Sequence, residues 1–323
     1  ARGGAPLNAT TGDPIVRLVD VDVSFGAARA VDGVTLDVFA GEVLALVGES
    51  GSGKTTLIRA VQGLQRVTDG SILYEGLAAG RGRRRARHDI QMVFQDPTGA
   101  LNPRHTIYDI VAEGLRIRRD RGDEHALVAS ALARAGLRPA ERFMPLYPHE
   151  ISGGQRQRVV IAGAMVMQPR VLLADEPVAS LDASIRGEIL ALMRSLVDEH
   201  GLSIVAVTHD LGLAWNIADR IAVMYLGRIV ELGPTEQVLA DPQHPYTRAL
   251  LSVVPEIGGM QQQILHGETP DPRRIPDGCR FHPRCPLVRS GEAERLGILA
   301  QCQSADVALH ARTEAHWVAC HAG

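Results

Sequence analysis

Gly48, Gly53, Lys54 and Thr55 stand in the order G-x-x-x-x-G-K-T within "VLALVGESGSGKTTLIRAV". That spacing suits a chain of phosphates. Glycines let the backbone curl so that successive N–H groups face anionic oxygens, and the helix that follows turns its positive end to the same place. Glu49, Ser50, Gly51, Ser52 and Thr56 complete the loop. Lys54 is expected to reach the β- and γ-phosphates, and the Thr55 hydroxyl to ligate Mg²⁺.

A second group lies in "RVLLADEP", residues 170–177, where two carboxylates end an apolar run. Asp175 suits a carboxylate that holds Mg²⁺ through water, and Glu176 one that orients or deprotonates an attacking water. His209 closes a third apolar run, "SIVAVTHD". Together these residues describe nucleoside triphosphate binding and hydrolysis.

Such side chains need strands that deliver them to one sheet edge. Val43–Val47, Val171–Ala174 and 203–210 each read as buried strands, and the apolar spacing after Lys54 reads as a helix. Ligands gather at the carboxyl ends of strands in open α/β sheets. The rest of the chain sets few further constraints. Its 323 residues carry a net charge of −3, with 45% hydrophobic and 22% charged residues, so no global field favours nucleic acid or an anionic membrane. No apolar run approaches the roughly 18 residues of a spanning helix. The opening "ARGGAPLNATTGDP" reads as a flexible lead-in. "RGRRRARH", residues 81–88, reads as a solvated loop, because no aromatics interleave with its arginines as base stacking would require.

Between these groups lies "EISGGQRQRVVIAGAM", residues 150–165. A phosphate loop, a downstream "ISGGQ", a carboxylate pair soon after it and a later histidine resemble, in that order, the ATP-binding-cassette ATPases. The resemblance implies an α/β P-loop NTPase (RecA-like) cassette over residues 14–257, after a lead-in of 1–13. It also implies an antiparallel β subdomain and an α-helical subdomain at about 96–165. By the same resemblance Phe25 stacks on adenine, and Gln95 contacts Mg²⁺ and signals to a membrane partner. Ser152, Gly153, Gly154 and Gln155 form the signature loop, which caps the γ-phosphate held by a second cassette. Ser180, Leu181 and Asp182 form the D-loop, and His209 contacts the γ-phosphate. Ile151 replaces the usual Leu, and "VASLD" departs from the common D-loop order.

Within the family, "QDPTGALNP", "YPHEISGGQ", "HPYTRALLSVVP" and "LHGETPDP" resemble the peptide/nickel importer branch. The resemblance implies a subunit on the cytoplasmic face of the cell membrane. Its partners would be a second cassette (sister subunit or fused half), two transmembrane permeases and, indirectly, an extracytoplasmic peptide-binding protein, without nucleic acid. The cargo is di- or oligopeptides, with nickel or another small solute as the alternative. A soluble non-transport ATPase of the same family is the other reading.

The chain has no cysteine before residue 279 and four after it: Cys279, Cys285, Cys302 and Cys320, spaced C-x5-C-x16-C-x17-C. Residues 258–323 form a small, irregular, Pro/Gly-rich domain too short to build an ample core unaided. Disulfides do not suit a compartment that holds ATP, and the short C-x2–4-C zinc spacing is absent. The branch resemblance implies a [4Fe–4S] cluster on the four cysteines, with Zn²⁺ or free thiols as alternatives. The Cys285–Cys302 interval is longer than the branch pattern. His282, His310, His316 and His321 are further donors nearby.

Overall fold

The structure is a computed structural model, and it describes residues 12–78, 88–179, 181–254 and 263–322. Most of the lead-in, most of the arginine-rich run, Ser180, and residues 258–262 of the C-terminal domain therefore lie outside the described residues. In chain order the strands are β1 Val16–Phe25, β2 Ala28–Val38, β3 Val43–Val47, β4 Asp69–Tyr74, β5 Leu77–Ala78 and β6 Ile90–Val93. They continue with β7 Val171–Asp175, β8 Ser203–Thr208, β9 Arg220–Tyr225, β10 Arg228–Pro234, β11 His310–Ala311 and β12 Trp317–Val318. The described residues divide into two compact units.

The first unit holds residues 12–39, 44–78 and 208–322. One sheet in it is antiparallel, in the order β2-β1-β4-β5. Along β1 the fully buried positions, Val16, Leu18, Val21 and Val23, keep to one face; a register shift between Leu18 and Val21 absorbs the odd step. In the other sheet β3 pairs parallel with β9, and β10, β12 and β11 extend it antiparallel. All five residues of β3 are buried, as the continuous apolar run predicts for a strand covered on both faces. Helix α1, Lys54–Gln62, follows the β3 loop and ends at Gly63, whose φ of 78° is the left-handed cap that favours glycine.

The C-terminal segment shares this unit's core. Phe281 is 1% exposed and lies 5.2 Å, edge-on, from the Tyr225 ring and 5.3 Å from that of Tyr246. Burying such a ring contributes about 2–3 kcal/mol. Glu231, fully buried on β10, accepts hydrogen bonds from the backbone N–H groups of Gln243 and His244 and pairs with His316 at 2.8 Å. Burial lowers the His244 pKa to about 4. The neutral ring then accepts the Tyr246 N–H at Nδ1. The sequence suggests a segment short of a core; the structure has it borrow one from β9 and β10.

The second unit holds residues 40–43 and 88–207. Its strands β6, β7 and β8 run parallel in that order. Helix α2, Ile107–Arg118, starts at Thr106, whose hydroxyl accepts the Asp109 N–H. Helix α3, Glu124–Arg134, is capped the same way by Asp123. Each cap satisfies a backbone donor that would otherwise be left without a partner, worth about 1 kcal/mol. Helices α4, Gly153–Met165, and α5, Ala183–His200, complete the unit. Among the described residues, no helix is long and apolar enough to cross a membrane.

Candidate nucleotide site and cysteine cavity

The loop between β3 and α1 is tightly packed. A Cβ on Gly48 would lie 2.2 Å from the Met224 carbonyl oxygen, and one on Gly53 would lie 2.1 Å from that of Ala30. Gly53 has φ 104° and its carbonyl accepts the Leu57 N–H, opening α1. Lys54 is 5% exposed. Its ammonium donates to the carbonyls of Gly48 (2.7 Å) and Glu49 (2.8 Å) and to Ser52 Oγ (3.4 Å). The lysine thus folds over its own loop and uses oxygens that an incoming phosphate can replace. Ser52 is buried, while Ser50, Gly51 and Phe25 are exposed. An exposed Phe25 ring, 52% accessible, is free to stack on a base.

Glu49 has partners the sequence did not reveal. Its backbone N–H donates to Tyr246 Oη, and its carboxylate is bound by Arg284 and Thr269. Nothing in the sequence tied these residues to Glu49: Tyr246 belongs to "HPYT", and Arg284 sits between two cysteines. His209 follows β8 and is exposed.

In the second unit, Asp175 ends β7 and is 4% exposed. Glu176 follows with φ 47°, a left-handed conformation that L side chains adopt at a cost. Its N–H is held by the Val207 carbonyl at 3.0 Å. Gln95 Nε2 donates to Glu176 Oε2 at 3.0 Å, which brings together two residues 81 positions apart in the chain.

Ser152 caps α4. Its hydroxyl accepts the Gln155 N–H, and Gln155 Oε1 accepts the Ser152 N–H, a reciprocal capping box. Gly154 is required by packing, since a Cβ there would lie 2.7 Å from the Ile185 side chain. At Gly153 a Cβ would meet nothing within 4 Å. The start of α4 is thus capped by its own side chains and exposed at Ser152 and Gly153. Asp182 is the first residue before α5 and is exposed.

All four cysteines are free thiols, and all four line one cavity with Phe281, Leu287, Val288, Ala293 and Ile298. Cys302, across the long interval, is among them; its carbonyl accepts the Cys279 N–H at 2.9 Å. Gly278 (φ 67°) makes that approach possible, because a Cβ there would lie 2.6 Å from the Cys302 oxygen. Burial raises the thiol pKa of Cys279 to about 12 and of Cys285 to about 11. Backbone groups of Phe281, of Leu287 and Val288, and of Ala322 favour the thiolates of Cys279, Cys285 and Cys320 respectively. No group of three or more His, Cys, Asp or Glu side chains among the described residues is arranged to hold a metal ion. His282 and His321 also line the cavity, whereas His316 is taken up by Glu231.

A glycine loop with its buried lysine after one buried strand, and a carboxylate pair ending another, are the parts of a P-loop nucleotide-binding cassette. Residues 31–179 match the ABC transporter model, and 230–291 match that of the oligopeptide/dipeptide transporter C-terminal region. Among solved structures, cbiO1 from Clostridium perfringens, part of the ABC transporter complex cbiONQ, is similar with TM-score 0.65 at 31% identity. That match covers 71% of this chain and 92% of the other. The dimeric cassette MJ0796 is similar with TM-score 0.60 at 29% identity, over 68% of this chain and 98% of that one. Full-length relatives narrow the class. The chain is 44% identical to the oligopeptide transport ATP-binding protein OppF of Salmonella typhimurium, over 80% of this chain and 81% of the relative. It is 40% identical to AppF of Bacillus subtilis, over 92% and 90%. It is 43% identical to the di/tripeptide transport protein DppF of Pseudomonas aeruginosa, over 86% and 89%. The chain belongs to the ABC transporter ATPases, in the family of oligopeptide and dipeptide transport ATP-binding proteins.

Proposed function

We propose that this chain is the ATP-hydrolysing subunit of a di- or oligopeptide importer, bound to the cytoplasmic face of a membrane through two permease subunits. The relatives' names supply the cargo class. The observation that carries the hydrolytic part is the Gln95–Glu176 hydrogen bond at the end of β7. It holds the carboxylate that is to take a proton from water in a fixed orientation. ATP binds with its phosphates in loop 48–56, where Lys54 exchanges its carbonyl partners for phosphate oxygens and Phe25 stacks on the base. Thr55, Gln95 and Asp175 would hold Mg²⁺, which supplies charge neutralisation on the phosphates. His209 and Asp182 complete the γ-phosphate surroundings. Residues 14–257 act as the cassette, with about 96–165 as its helical subdomain facing the permeases, and 258–323 as the cysteine domain.

A second cassette supplies the other half of the reaction. Ser152, Gly153, Gly154 and Gln155 of one cassette cap the γ-phosphate held by its partner. The exposed start of α4 supports this role, since among the described residues a Cβ on Gly153 would meet nothing within 4 Å. Vesicles carrying the subunit, its permeases and a peptide-binding protein should take up labelled peptide only with ATP, and a Lys54→Ala subunit should abolish uptake. ATP turnover without peptide uptake in that assembly would overturn the cargo assignment.

For the cysteine cavity the proposal is a [4Fe–4S] cluster held by Cys279, Cys285, Cys302 and Cys320. Four thiols line one apolar cavity, and backbone groups beside Cys279, Cys285 and Cys320 partly offset the burial that disfavours their thiolates, which supports a group ligated by all four sulfurs. When bound, such a cluster supplies a covalent tie between chain segments. Protein purified without oxygen should contain iron and acid-labile sulfide near four each per chain, the stoichiometry of that cluster. Zinc near one without sulfide would replace it with a plain structural site.

A further inference from the structure

Glu49 is an anomaly in a loop built to bind anions, because it places a carboxylate in the phosphate-binding turn itself. The structure compensates it from the C-terminal segment. Arg284 donates from Nη1 to Glu49 Oε2 at 2.8 Å and from Nη2 to Oε1 at 3.2 Å, a two-point grip. Thr269 Oγ1 donates to the same Oε2 at 2.8 Å, and Arg284 Nη1 reaches Thr269 at 3.2 Å. The backbone of the same residue is fixed as well, since the Glu49 N–H donates to the Tyr246 hydroxyl at 2.8 Å.

These partners are rigidly mounted. The Arg284 side chain is 8% exposed and lies over the Tyr225 ring at 6.0 Å. Tyr246 is fully buried against Tyr225 (centroids 4.8 Å apart) and Phe281. Arg284 ends the short turn His282–Arg284, which lies between Cys279 and Cys285. Burial pushes the Glu49 carboxyl up, but the hydrogen bonds from Arg284 and Thr269 outweigh it and hold the group below the usual carboxylate range. Lys54 attracts it too. The two-point grip of Arg284 thus favours the charged carboxylate.

We propose that Arg284, with Tyr246 and Thr269, is a positioning residue of the ATPase: it neutralises Glu49 and clamps the phosphate-binding loop from the C-terminal segment. Without Arg284, an uncompensated negative charge faces the polyphosphate and the loop loses its two-point anchor. The effect falls on nucleotide binding, while Glu176 and its hydrogen bond with Gln95 lie outside the clamp.

The test is steady-state hydrolysis of MgATP by the full chain, purified without oxygen. Arg284→Gln should raise KM roughly tenfold, the order expected for one uncompensated unit charge beside a polyphosphate, with kcat within about twofold. Adding Glu49→Gln to that variant should return KM toward the parent value, because the repelling charge is gone. Arg284→Lys should fall in between, keeping the charge but losing the fork. Unchanged KM in Arg284→Gln, or a double variant whose KM is the product of the single effects, overturns the proposal. If Arg284→Gln does not fold, Tyr246→Phe removes only the hydroxyl that holds the Glu49 N–H. A raised KM in Tyr246→Phe supports the clamp, and an unchanged KM in both Tyr246→Phe and Arg284→Lys overturns it. Absence of turnover in the parent chain would instead count against the ATPase assignment, so the two failures are distinct.

Discussion

Glu176→Gln should bind MgATP as the parent does and hydrolyse it about 10²–10⁴ times more slowly, the usual range for loss of a general base. The substitution keeps the side chain's shape. An amide oxygen at 176 can still accept the hydrogen bond that Gln95 Nε2 donates at 3.0 Å. The left-handed backbone, at φ 47° with its N–H on the Val207 carbonyl, costs glutamine what it costs glutamate. What disappears is the capacity to take a proton. With hydrolysis stalled, ATP-bound cassettes should accumulate as closed dimers, visible as a MgATP-dependent shift to twice the mass in gel filtration. Single-turnover hydrolysis measured beside nucleotide binding separates the two effects. Parent-like turnover in this variant would remove Glu176 from the role of base.

Gly53→Ala should reduce MgATP affinity by about 100-fold or more, the loss that a displacement of about 1 Å brings to a positioned site. The new methyl would lie 2.1 Å from the Ala30 carbonyl oxygen and 2.9 Å from the Met224 side chain, at a backbone φ of 104°. Neither the β2 backbone nor the loop can yield without moving the N–H groups that face phosphate, or the first turn of α1. Gly51→Ala is the contrast. Gly51 also has a positive φ, 78°, yet a Cβ there meets nothing within 4 Å. Only conformational strain remains, about 1–2 kcal/mol, and affinity should fall far less. Titration with MgATP, with thermal unfolding as a control, measures both. Equal losses in the two variants would show that left-handed strain, and not the close approach to Ala30, dictates glycine in this loop.

The motifs that hold these two residues were visible in the sequence because each is written in neighbouring residues, although the close approach of Ala30 and Met224 to Gly53 was not. A glycine loop followed by lysine and a helical run needs only neighbouring residues to take shape, so β3 at Val43–Val47 and α1 from Lys54 follow the predicted pattern. The strand ending at Asp175 does the same, as does the capped start of α4 at Ser152. Even the Gln95–Glu176 meeting was foreseeable, since each residue ends or follows a strand of one parallel run, β6 to β8.

The grouping of cysteines was legible only as a cluster in sequence, without the geometry. Which thiols share a cavity depends on Gly278 admitting the Cys302 backbone, and no spacing rule expresses that contact. The partners of Glu49 were not legible at all. Tyr246 lies 197 residues from it and Arg284 lies 235 residues away. A tyrosine after His-Pro and an arginine between cysteines look like ordinary residues of an irregular segment.

By itself the sequence carried the motifs on which the proposed phosphate and water contacts rest, and the family to which that order of motifs belongs. Tertiary structure alone decided what holds those groups in place. Glu49 is an unfavourable charge in an anion site until the fold brings Arg284 against it, and Phe281 is one more apolar residue until Tyr225 and Tyr246 enclose it. The physical reason is range. Motifs are written in backbone conformations that neighbours dictate, whereas charge compensation and burial depend on which distant segments the folded chain brings together.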